Sequence, residues 1–133
     1  MPDKNPDLRF KIFWLLIGFG LIAFVVVQSL TPSPVDIGVH FWDKSLHTVG
    51  YFGLMGWFMQ IYHTRQAKVF WTVFFVMMGV GLEFLQDLGG VRHYEVNDMI
   101  ANCLGVLIAL ILSFTLFAKI LVYFDRMIAS KFS

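Results

Sequence analysis

Charge is scarce in this sequence. Only 14% of its 133 residues are Asp, Glu, Lys or Arg, against about 25% in an ordinary soluble domain, and residues 12–35 contain none. A net charge of +1 leaves no basic stripe to neutralise phosphates, which argues against nucleic acid as a partner. Cysteine is equally rare. The single Cys103 rules out an intrachain disulfide and a multi-cysteine zinc site, and its place in an apolar run suits a small hydrophobe. The GxSxG, CxxC, P-loop and HExxH patterns are all missing, so no familiar reaction is announced.

What the chain has is apolar surface: 58% of residues are hydrophobic and the mean hydropathy is +0.72. A single domain of this length cannot hide so much in a core, and lipid is the expected solvent. A membrane helix needs about 20 residues to cross roughly 30 Å of hydrocarbon. Four runs approach that length, over 12–30, 45–62, 69–86 and 98–118. They are separated by the Pro32/Pro34 loop, by "HTRQAK" and by "DLGGVRHYEVN". Short loops between four helices predict an all-α membrane protein, one domain of four transmembrane helices in an up-down bundle. The first run reads as a retained helix and not as a cleaved signal, because "QSLTPSP" offers no small-x-small cleavage site.

Basic residues set the orientation. In a four-span chain Lys4, Arg9, Lys11, Arg65, Lys68, Lys119, Arg126 and Lys131 share one side, with only Lys44 and Arg92 on the other. Both termini are therefore expected in the cytoplasm. Trp14, Tyr62, Trp71 and Tyr123 would form an inner aromatic belt, with Trp42 and Tyr94 in the outer one.

Polar residues concentrate at the outer ends of the spans. Asp43, Lys44 and His47 open the second, Glu83, Gln86 and Asp87 close the third, Arg92 lies in the loop, and Asp98 and Asn102 open the fourth. Lys44, His47 and Tyr51 are three and four residues apart and share one helix stripe, as do Asp98, Asn102 and Gly105. Ala101, Gly105 and Ala109 form a small-residue ridge for close packing, and Gly50, Gly53 and Gly56 give the second span a comparable thin face. Asp43, Lys44 and Asp87 suit helix ends at the interface. Glu83 and Asn102 lie about one turn deeper, where an unpartnered polar group is costly, so they should face the bundle. Arg92 and Lys44 are the obvious cations for Glu83. Spacing alone leaves a structural ion network and a ligand site equally open. A zinc site from His47, Glu83 and Asp98 is chemically conceivable but lacks any diagnostic spacing. No metal or cofactor is called for. His63 reads as a solvated loop residue and His40 and His93 as outer-loop ones.

The segments "DKSLHTVGY" and "EFLQDLGGVRHYEVNDMIANCLG" resemble the VanZ-like family of small bacterial membrane proteins. The resemblance rests on Asp43, Lys44, His47 and Tyr51 in one block, and on Glu83, Gln86, Arg92, Asp98, Asn102 and Gly105 in the other. It covers about residues 42–109. Gly89, Gly90 and Val91 stand where family members often have Pro-Gly before the arginine. It implies a multi-pass protein of the bacterial cytoplasmic membrane whose outer-face groups are functional. The family's name-giving member is associated with low-level resistance to teicoplanin, a lipid-bearing glycopeptide, so the cell envelope and antibiotic resistance are the implied setting.

Three functions compete. A binding module would hold an anionic or lipid-linked envelope molecule, such as a precursor or a lipoglycopeptide. Lys44 and Arg92 would meet its charge, with Tyr51, Gln86, Asp98 and Asn102 fixing its orientation. A membrane enzyme acting on a lipid head group or envelope precursor would use His47 as acid or base, Glu83 or Asp98 to orient it, and Arg92 to stabilise negative charge. A structural network would only lock the helices together, as Asp43 and Gly105 are expected to do in any case.

Overall fold

The computed structural model describes residues 5–30, 40–89 and 96–131, and side chains within the second stretch from Thr48 onward. Helices account for nearly all of it, and no strand occurs among the described residues. In chain order they are α1 (Lys11–Leu30), α2 (His40–Ile61), α3 (Arg65–Leu88), α4 (Val96–Leu112), a 3-10 turn (Leu116–Lys119) and α5 (Ile120–Lys131). Two of them, α1 and α3, are long and apolar enough to cross a membrane. A third candidate arises if α4 and its bent continuation count as one span.

Their faces are compatible with a lipid surrounding. Ile12, Leu16, Phe24, Phe70, Met77 and Ile111 are exposed, while Gln60, Glu83, Gln86, Asp98, Asn102 and Asp125 are buried. In water such a surface would be an aggregation hazard; in hydrocarbon it is solvated and the polar groups turn inward.

Helix α2 is the axle, in contact with α1, α3, α4, the 3-10 turn and α5. Leu54, Met55, Phe58 and Met59 on it are buried. Phe58 stacks on Trp71 at 4.1 Å between ring centroids, and Trp71 on Phe75 at 5.6 Å. The helix begins at His40, five residues before the expected boundary at 45.

The small-residue ridge of α4 is buried against α2. A Cβ on Gly105 would collide with the Thr48 carbonyl oxygen and lie 2.8 Å from the Phe52 nitrogen. Only glycine permits so close a backbone approach. The thin face expected on α2 is not used that way: Gly50 and Gly53 meet no described atom within 4 Å, and Gly56 faces the Phe117 ring. The tighter approaches are at Gly18, against Phe58 and Trp57, and at Gly79, against Asn102.

A continuous fourth span over 98–118 is not observed. Helix α4 stops at Leu112, and the chain turns by 81° into the segment that carries α5. Polar side chains cause the break by competing for the backbone. Ser113 Oγ donates to the Leu110 carbonyl, Thr115 Oγ1 donates to Leu112, and Lys68 Nζ takes the Ser113 carbonyl at 3.1 Å. Thr115 Oγ1 then accepts from Phe117 N and starts the 3-10 turn.

Candidate functional site

Two polar clusters occupy opposite ends of the bundle. The first lies where α1 and α3 terminate together, Gln86 Nε2 donating to the Ser29 carbonyl at 2.6 Å. Glu83 and Gln86 share a face of α3, and both are buried. Asn102 on α4 lies over Gly79, whose missing Cβ would be 3.1 Å from the amide nitrogen. Since Lys68 meets Ser113 at the other end, α3 and α4 run antiparallel. One turn on, four residues along each helix, the same register brings Glu83 level with Asp98. Tyr51 on α2 is buried and within electrostatic range of Glu83. Thr48 Oγ1 ties α2 to α4 through the Ala101 carbonyl.

Five of the residues picked out by spacing, Tyr51, Glu83, Gln86, Asp98 and Asn102, are thus 1–4% exposed. Gln86 Oε1 and Asn102 Oδ1 are buried acceptors with no donor among the described residues. A buried carbonyl oxygen without a donor costs about 1–3 kcal/mol, so each is placed to take a hydrogen bond from something further. Asp43, Lys44 and His47 lie in the first turns of α2, but their side chains are outside the described residues, as is the expected orienting of His47 by Glu83 or Asp98. Arg92 and His93 are outside as well. Among the described residues no three His, Cys, Asp or Glu side chains gather as metal ligands.

The second cluster was not singled out by spacing. Asp125 on α5 is 1% exposed. Its carboxylate accepts from Arg9 N at 2.8 Å, Phe10 N at 3.0 Å and Trp14 Nε1 at 2.7 Å, capping the start of α1. Burial alone would raise this carboxyl. The Trp14 indole, the Phe10 and Arg9 amides and the Arg126 charge outweigh it and hold the group below the ordinary carboxylate value. Gln60 bridges the break after α4, donating to the Phe117 carbonyl at 2.6 Å and accepting from Leu121 N at 2.9 Å. Asn5 Oδ1 accepts from His63 N and Thr64 N, and Thr64 caps α3 by accepting from Ala67 N.

His63 is therefore not a solvated loop residue. Its Nε2 lies 3.0 Å from the Ala118 carbonyl, which can only accept, so Nε2 carries the proton. Burial, aided by Lys68 and Lys119, lowers its pKa despite carbonyl contacts that favour the cation. Trp14 and Trp71, assigned to the inner belt, are 8% exposed and belong to the bundle interior; Tyr123 is exposed as expected.

Fold and clusters together define a protein that is helical throughout the described residues apart from short turns, with exposed apolar helix faces, two to three helices long and apolar enough to cross a membrane, and inward polar side chains. Neither a family model, nor a curated protein, nor a solved structure matches the chain.

Proposed function

We propose that this protein is a four-span, up-down bundle of the bacterial cytoplasmic membrane, similar to VanZ-like proteins, that binds a lipid-linked or anionic cell-envelope molecule on its outer side. Both termini are cytoplasmic in this reading, which puts Glu83, Gln86, Asp98 and Asn102 toward the extracytoplasmic face. One observation carries the proposal: buried acceptors Gln86 Oε1 and Asn102 Oδ1, beside the buried acids Glu83 and Asp98, have hydrogen-bonding capacity that no described residue uses. A purely structural network gains nothing from leaving acceptors unused. Two carboxyl groups at one level hold cations close, and Lys44 and Arg92 are the cations that the sequence puts at this end. They would meet the anionic group, with Tyr51, Gln86 and Asn102 orienting it. A link to glycopeptide resistance through lipid-bearing drugs or envelope precursors belongs to the same reading.

Native mass spectrometry of protein extracted from bacterial membranes in mild detergent tests it. The expected result is a co-purifying envelope lipid or precursor whose occupancy falls at least tenfold in Arg92→Ala and Asn102→Leu, with thermal stability retained in Arg92→Ala. Absence of such an adduct, or an adduct indifferent to both substitutions, defeats the binding reading.

A further inference from the structure

Helix α5 carries three distinct faces, and among the described residues only one packs inside the molecule. Leu121, Val122 and Asp125 pack on the bundle. Lys119 and Arg126, seven residues or about two turns apart, flank a shallow groove completed by Val122, Tyr123 and Met127. Beside it runs an exposed apolar edge of Leu116, Ile120 and Phe124. Asp125, the one acid of this helix, points away from the groove and is already held by three donors.

We infer that α5 is an interfacial helix whose Lys119/Arg126 groove holds the phosphate of an anionic phospholipid of the cytoplasmic leaflet. The inference goes beyond the outer-side ligand and rests on the membrane reading of α1, α3 and α4 and on the proposed orientation with both termini in the cytoplasm. Charge complementarity supplies one argument: two cations flank an opening with no acid among the described residues that line it. The 81° turn between α4 and α5 supplies another, because a helix at right angles to a span lies along the membrane plane. The apolar edge decides the source of the phosphate. A soluble anion would need only the cations, whereas Ile120 at 48% and Phe124 at 46% exposed require acyl chain beside the head group. Tyr123, 67% exposed between the two cations, has the amphipathic ring of an interface residue.

The test uses the full chain in detergent with equimolar phosphatidylglycerol and phosphatidylcholine, read by native mass spectrometry. The wild-type protein is expected to retain phosphatidylglycerol preferentially. Each removed cation should weaken that preference about fivefold, so the double variant Lys119→Gln/Arg126→Gln loses nearly all of it. Lys119→Arg/Arg126→Lys should keep it, and so should Arg65→Gln, which removes an exposed charge elsewhere. Millimolar inorganic phosphate should not displace the lipid. Equal retention of the two lipids, an undiminished preference in the double variant, or displacement by inorganic phosphate overturns the inference. Circular dichroism of the double variant separates lost binding from lost fold, and the charge-preserving swap covers a variant that fails to fold: loss of preference there also counts against the groove. Glu83→Gln at the far end should leave the preference intact, so failure here and failure of the outer-side ligand are distinguishable.

Discussion

At the scale of single residues, Asp125 sets the strongest constraint. Its carboxylate satisfies two backbone amides before α1 and the Trp14 indole, donors that would otherwise be stranded. Asp125→Ala should lower stability in detergent by on the order of 3 kcal/mol, since hydrogen bonds to a charged acceptor contribute about 1.5–3 kcal/mol. The pH dependence has a definite sign. With its folded pKa depressed, the carboxylate contributes stability that is fully present above the unfolded value of about 3.9 and is lost as pH falls through the folded value below it. Melting curves in detergent should therefore lose stability below about pH 4, and Asp125→Asn should flatten that part of the profile; an unchanged profile would mean another group governs acid unfolding. None of this is legible in "YFDRM", because the donors lie 111–116 residues away and no local period encodes them. Glu83 and Asn102 are legible for the opposite reason. Each sits one turn inside an apolar run, where a polar side chain has only the bundle to turn to.

Among the elements, α2 and α4 define how close the backbones come. Glycine at 105 lets the Thr48 carbonyl lie where a side chain would begin, so Gly105→Leu overpacks against backbone that cannot rotate away. The expected cost is about 1–3 kcal/mol. Leu107→Ala, at a position 45% exposed and off the ridge, should be milder in the same thermal melt, and equal effects would contradict this packing. The apolar runs of α1 and α3 make those helices readable from the sequence. The end of α4 is not readable in that way, since "SFTLFAKILVYF" remains apolar enough to continue the run. What ends it is a tertiary contact, Lys68 at the Ser113 carbonyl and 3.8 Å from the Phe114 ring, acting with the hydroxyls of Ser113 and Thr115. Lys68→Met should therefore remove a contact that helps fix the bend and lower thermal stability, with Arg65→Met on the same helix as the neutral comparison.

For the whole molecule, the distribution of charge and exposure determines which solvent the chain meets at each level. Large apolar side chains face outward on α1, α3 and α4, while the inward stripes end in two polar clusters separated along α3 by the 15 residues from Lys68 to Glu83, about 22 Å of rise. That spacing fits within a hydrocarbon core of roughly 30 Å, and the two clusters give the bundle one basic and one acidic end. The basic end holds Arg9, Lys11, Arg65, Lys68, Lys119 and Arg126, the end that the proposed orientation assigns to the cytoplasm by the positive-inside rule. With Cys103 replaced by Ala, single cysteines at Ser33 and at Val91 should react with a membrane-impermeant thiol reagent in intact cells, whereas one at Gln66 should react only after the membrane is opened. The reverse pattern would put α5 on the outer surface and the Glu83 cluster in the cytoplasm, and both the envelope ligand and the inner-leaflet lipid would then be assigned to the wrong side.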